Sequence, residues 1–206
     1  CLGQRTASGT ITVNPLATAS IVYPGSPFCN NLTTPQPVTL AGTTGGTFSA
    51  SPAGLNISAV TGEVSPWLSI PGTYTVTYTV TSCGTATATA QVRITALPVA
   101  TFSYPGSPYC SNQSDPLPVF TGRGIAGTFS STTGLVFENA STGQVDLSSS
   151  TPGTYTVTNT IPSAGGCPAV SATAPITINA VPVATFSYTG APYCSNEPDP
   201  FPTFTG

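Results

Sequence analysis

The 206-residue chain contains no lysine, no histidine and no methionine, and its three arginines and six acids are its only charged side chains. That is 4% charge, against roughly 25% in ordinary soluble domains. Each absence removes a class of chemistry. Without histidine there is no Ser–His or Cys–His nucleophile system. Without lysine there is neither a Schiff base nor a self-forming Lys–Asn isopeptide bond. A net charge of −3 with no basic cluster argues against nucleic-acid binding, which needs Lys and Arg to neutralise phosphates. No apolar run is long enough to span a bilayer. No signal peptide is visible, so the chain is expected to be mature or cut from something longer. No enzyme activity and no cofactor are expected.

What is present is Thr, Ser, Gly, Pro, Ala and Val, with 39% hydrophobic residues that alternate with hydroxyls. Disorder would need lower hydrophobicity and higher charge. Six cysteines are present. The closest, such as Cys83 and Cys110, are 27 residues apart, far from the C-x2-C spacing of zinc sites. Disulfides formed in an oxidising, extracellular setting are the better reading, and no metal is expected.

The chain repeats itself. "YPGSPFC" at Tyr23–Cys29 returns as "YPGSPYC" at Tyr104–Cys110 and "YTGAPYC" at Tyr188–Cys194. "GGTFSA" at Gly45–Ala50 returns as "AGTFSS" at Ala126–Ser131, "TGEV" at Thr61–Val64 as "TGQV" at Thr142–Val145, and "PGTYTVT" at Pro71–Thr77 unchanged at Pro152–Thr158. The offset is 81 residues and becomes 84 after "IPSAGGC", where the second copy is three residues longer. The expected division is therefore the end of one repeat over 1–17, whole repeats over 18–98 and 99–182, and the start of another over 183–206. On this reading the chain is a window onto a longer tandem array. Cys1 then occupies the register position of Cys83 and Cys167; a lipidated N-terminal cysteine is the alternative.

Each repeat reads as all-β. Tyr74, Val76, Tyr78 and Val80 alternate with Thr73, Thr75, Thr77 and Thr79, and Tyr155, Val157, Asn159 and Ile161 with four threonines. This is the period of a half-buried strand, built from residues that suit a pleated surface. Further strands are expected at Val99–Tyr104, Leu117–Thr121, Gly127–Ser131, Leu135–Glu138, Gln144–Ser148 and Val170–Asn179, separated by Gly and Pro turns. Some seven short strands in a repeat of this size indicate an immunoglobulin-like β-sandwich. Such a small domain buries a thin core and gains from a staple.

Repeat symmetry leaves two cysteine pairings. Within repeats, Cys29 joins Cys83 and Cys110 joins Cys167, with Cys1 and Cys194 bonded outside the window. Across the boundary, the pairs are Cys1–Cys29, Cys83–Cys110 and Cys167–Cys194. The first is preferred, because it closes each module on itself and a loop of about 55 residues gains on the order of 4 kcal/mol.

Little else looks chemical. Glu138 and Asp146 are the nearest approach to a paired-carboxylate site, but the first repeat has Ile57 and Ser65 in their places. Asp115 and Asp199 lie in Pro-flanked loops, where an Asp more simply caps a turn than holds calcium. Trp67, the one tryptophan, stands with Leu68 and Ile70 where the next repeat has Ser148, Ser149 and Thr151. Framework core positions should be apolar in both copies. These three are therefore a candidate contact patch for a sugar face or a neighbouring repeat, or a locally repacked edge strand. Sequons at Asn31, Asn56, Asn112 and Asn139 fit an exported protein without requiring one.

The segments "FSYPGSPYCSN", "AGTFSSTTGLVF", "STGQVDLSSSTPGTYTVT" and "GGCPAVSATAPITI" resemble the Ig-like and PKD-like tandem repeats of giant Bacteroidota cell-surface adhesins, such as the SprB-like gliding-motility adhesins. The resemblance covers essentially the whole chain. It implies export by the type IX secretion system and display as a long thin filament at the cell surface, and it brings no catalytic residues. The leading expectation is a non-enzymatic structural and adhesive array outside the cell. Its partners would be neighbouring repeats of the same chain and a surface polysaccharide or substratum. Two other readings stay open: a carbohydrate-binding accessory module of a secreted enzyme, and a subunit that polymerises into a filament by strand exchange.

Overall fold

The structure, a computed structural model, describes residues 6–190 and 192–205. The chain divides into two compact units: unit 1 is Cys1–Pro98 with Ser163–Ala169, and unit 2 is Val99–Pro162 with Val170–Gly206. Residues 163–169, in sequence part of the second repeat, belong to unit 1.

Unit 1 carries β1 (Ala19–Val22), β2 (Phe28–Cys29), β3 (Thr39–Gly42), β4 (Thr47–Ser51), β5 (Gly72–Ser82) and β6 (Gly84–Thr95). The four-stranded sheet runs β2-β6-β5-β4, and β1 pairs with β3 in a separate two-stranded sheet. The alternation in β5 does what its period demands. Tyr74, Val76, Tyr78 and Val80 are buried with Val92 and Ile94 of β6, while the threonines between them are half-buried or exposed. Ala17, Ile21, Tyr23, Phe28, Phe48 and Val64 complete this core. β5 and β6 form a long antiparallel hairpin from Gly72↔Ile94 to Ser82↔Gly84, and β2 adds in parallel at its far end, Cys29 opposite Thr95.

Unit 2 repeats the plan. It comprises β7 (Phe102–Ser103), β8 (Tyr109–Cys110), β9 (Val119–Phe120), β10 (Thr128–Ser131), β11 (Val136–Asn139), β12 (Gln144–Asp146), β13 (Gly153–Ile161), β14 (Val170–Asn179), β15 (Thr185–Ser187) and β16 (Thr203–Thr205). The sheet is β10-β13-β14-β8, with β7-β9, β11-β12 and β15-β16 as two-stranded pairs. Tyr155, Val157, Ala174, Ile176 and Ile178 pack with Phe102, Tyr104 and Phe129. The molecule is an all-β protein of immunoglobulin-like sandwich repeats.

The recurring "TG(E/Q)V" motif has a specific reason. Gly62 and Gly143 have φ of +74° and +78°, and a Cβ on either would lie 2.8 Å from the ring of Phe48 or Phe129. Only glycine accepts both constraints. Its carbonyl then receives the buried phenol of the opposite layer, Tyr23 Oη to Gly62 O at 2.6 Å and Tyr104 Oη to Gly143 O at 2.5 Å. The motif thus ties the two layers together at one equivalent point in each unit.

Candidate functional site: a disulfide clasp and an apolar turn

The disulfide joins Cys29 to Cys167, with Cα atoms 4.7 Å apart and a sequence separation of 138. This corrects both expected pairings within repeats, Cys29–Cys83 and Cys110–Cys167, as well as the pattern across the boundary. The reason is strand length. Cys29 sits opposite Thr95, at the last residue of β6, whereas Cys83 immediately precedes the first. Twelve residues at about 3.3 Å each hold those cysteines roughly 40 Å apart, and a disulfide needs Cα atoms within about 7 Å. In the second repeat the sequence has the same order: Cys110 is opposite Asn179, the last residue of β14, and Cys167 comes before the first. Cys83, Cys110 and Cys194 are free thiols. Cys1 lies outside the described residues.

The clasp is built from two pieces of unit 1. One is the β2 edge: Asn30 N–H donates to Thr95 O at 2.9 Å, Leu32 N–H to Cys29 O at 3.1 Å, and Leu97 N–H to Asn30 Oδ1 at 2.9 Å. The other is the tip Ser163–Ala169, held as a tight turn by reciprocal backbone bonds between Ala164 and Cys167. Gly165 and Gly166 have φ of +57° and +78°. A Cβ on Gly166 would sit 2.0 Å from Pro27 O, so the tip approaches the β2 backbone as only glycine can. Cys167 Sγ lies 3.7 Å from Thr95 O and 3.6 Å from Ala96 O. Under this cover Phe28 and Cys29 are 4% and 1% exposed.

The second candidate, Trp67, Leu68 and Ile70, forms no strand. Pro66–Leu68 is a single 3-10 turn, closed by Ser69 N–H onto Pro66 O. Ser69 is buried and anchors the turn, its Oγ donating to Ser65 O at 2.8 Å and accepting from Asn56 N–H at 2.9 Å. Ser150 does the same in unit 2 toward Asp146 O and Val136 N. The anchors match and the presented side chains differ: Trp67, Leu68 and Ile70 are 37%, 60% and 65% exposed. The structure places the three together at the surface, outside the core that packs Tyr74 and Phe48.

Asp146 accepts from Ser148 Oγ at 2.8 Å and Ser149 N–H at 2.9 Å, and these bonds, Ser149 foremost, hold its carboxyl below the usual carboxylate range. Glu138 falls in the bulge between Phe137 and Asn139, outside the register of the β11–β12 pair. Asp115 does not cap its own turn; it accepts Leu147 N–H at 2.9 Å, 32 residues away. No helix is long and apolar enough to cross a membrane, and no three metal-ligating side chains gather among the described residues.

No family model and no curated protein sequence matches the chain. Among solved structures it is similar to human CDH23 EC21-23, at 15% identity over 91% of this chain and 77% of that one, with a TM-score of 0.43. It is also similar to Drosophila N-cadherin EC1-4, at 12% identity over 84% and 53%, with a TM-score of 0.31. A third similarity is to a SusE-like surface located polysaccharide binding protein from the Bacteroides thetaiotaomicron heparin utilisation locus, at 16% identity and a TM-score of 0.30. The chain spans 84% of itself and 35% of that protein in the match.

Proposed function

We propose that this chain is a non-enzymatic, force-carrying segment of a long extracellular repeat protein, an adhesive filament at the cell surface of gliding bacteria. The observation that carries the reading is the Cys29–Cys167 bond. It takes the residues between the two cysteines out of the covalent path of any pull applied to the chain. A spacer under tension benefits from that connection, because the pull bypasses the segment the bond closes. The near-verbatim repeat supports a role in spanning distance, and a persisting disulfide supports an oxidising, exported location. The test is single-molecule stretching from the two termini, with and without reductant. The oxidised chain should extend little and the reduced chain should release the sequestered segment. Equal extension in both states would sink the proposal.

A second reading, a carbohydrate-binding module, rests on the Trp67 turn, where a partly exposed indole and two exposed aliphatic chains share a turn anchored by Ser69. Affinity electrophoresis in gels cast with polysaccharide separates the two. If the turn binds sugar, Trp67→Ser should abolish the retardation of the parent chain. If the chain is a spacer with its adhesive site elsewhere, parent and variant should migrate alike.

A further inference from the structure

The cradle that receives Cys167 on unit 1 has a counterpart on unit 2. β8 pairs in parallel with the end of β14, Cys110 opposite Asn179, as β2 pairs with β6. Ser111 N–H donates to Asn179 O at 3.0 Å and Gln113 N–H to Cys110 O at 3.0 Å, reproducing the Asn30 and Leu32 bonds. Thr177 N–H donates to Ser107 Oγ at 2.9 Å, as Arg93 N–H does to Ser26 Oγ at 3.0 Å. The difference is cover. Phe28 and Cys29 are buried, whereas Tyr109 and Cys110 are half-buried beside an open cavity of about 340 Å³ lined by Gly106, Tyr109, Gln113 and Ser114. The Cys110 thiol is free.

The complementary half also recurs. Cys83, at the tip between β5 and β6, forms a parallel bridge with Leu16, the residue 81 positions before Leu97. It therefore lies against the segment that leads into its own repeat, just as Cys167 lies against Thr95 and Ala96. It is exposed and free.

We propose that the Cys110 cradle is a docking and disulfide site for the cysteine-bearing hairpin tip of a further repeat of this kind, a Gly-Gly-Cys-Pro turn like that at 165–168. Each such repeat would then be clasped by the tip of the one that follows it. In the covalent step a thiolate at Cys110 attacks a disulfide already carried by the incoming cysteine. The new S–S bond forms as the old one breaks, and the displaced thiolate leaves with the electron pair. A disulfide-bearing oxidant, reduced to a dithiol, supplies the original oxidation. The inference rests on the repeat equivalence and not on an adhesive role, and the test below does not involve adhesion.

The probe is a synthetic peptide of the sequence at 161–170, its cysteine activated as a mixed disulfide with thionitrobenzoate. It is offered to the intact oxidised chain, and rates are normalised to those with free dithionitrobenzoate. Cys194 is the internal control, because it shares the local sequence YCSN with Cys110 but has no strand beside it among the described residues and is exposed. Peptide mapping should find capture at Cys110 favoured about tenfold over Cys83 and Cys194, as expected if docking precedes exchange. A peptide with alanine in place of both glycines should lose that preference. Normalised rates within about twofold of one another, or equal capture of the alanine peptide, would overturn the proposal.

Discussion

At the scale of single residues, Asn159 shows how one copy departs from the other without losing the fold. It occupies the register of Tyr78, at the centre of the apolar face of its strand. In unit 1 the phenol of Tyr78 accepts Gly46 N–H and donates to Thr43 O, both at 2.9 Å. In unit 2 the amide of Asn159, fully buried, accepts Gly127 N–H at 2.8 Å and donates to Ala100 O and Ile125 O, both at 2.9 Å. The period-two pattern places Asn159 inward, and only the three bonds explain why a polar side chain is tolerated there. Asn159→Leu leaves the Gly127 N–H and the Ala100 and Ile125 carbonyls without this partner. It should destabilise unit 2 by about 3 kcal/mol in urea unfolding, and a change below about 0.5 kcal/mol would contradict this account.

The layer-bridging tyrosines give a pH dependence. Burial pushes the Tyr23 phenol up to about 12, and Tyr104 is raised further, by burial first and by the neighbouring Tyr109 second. Unfolded phenols ionise near 10, so above that pH the folded chain binds more protons than the unfolded one. The stability these groups contribute is therefore complete below about pH 10 and is lost as pH rises through about 12. Denaturant midpoints should fall across that window. The double variant Tyr23→Phe, Tyr104→Phe should start lower, having lost two hydrogen bonds, but fall less steeply. Parallel curves would show that the phenols are not responsible.

At the scale of elements, the strands were legible because their alternation is strict and their turns carry Gly and Pro. The residues 153–161 and 170–179 form β13 and β14 as read, β10 and β12 lie within the stretches expected for them, and β11 is shifted by one residue from the expected Leu135–Glu138. β2 and β8 were missed. Each is only two residues long and draws its definition from the strand beside it, not from a pattern of its own. The Trp67 segment was legible as an oddity but not as a 3-10 turn, because its shape comes from the buried Ser69. The cysteine pairing was misread, yet a signal existed. A hairpin with twelve residues in its second strand cannot bring its tip to its base, and the second copy carries three extra residues, with two glycines, at that tip. Gly166→Ala tests how closely the tip must approach. A Cβ 2.0 Å from Pro27 O should displace it, so Cys29 and Cys167 should become titratable by a thiol reagent where the parent protects them. Continued protection would mean that the β2 backbone gives way easily.

At the scale of the whole molecule, the stretching experiment has a definite size. A bond across 138 residues, each contributing about 3.5 Å when extended, withholds roughly 480 Å of contour length until it is reduced. By the chain-entropy estimate, closing so long a loop also disfavours the unfolded chain by about 5 kcal/mol. The bond spans residues from β2 to the tip that precedes β14, so one covalent link governs the extensibility of most of the chain.

The sequence by itself determined the β class, the repeat, the inward faces of the long strands and the poverty of reactive groups. All of these follow from local pattern and composition, which each short stretch carries independently. Tertiary structure alone decided which cysteines meet, where Trp67 is presented and why Asn159 can be buried. Those outcomes depend on the distance between residues far apart in the chain, and that distance is set by strand length, layer packing and the close approach of two backbones at Gly166.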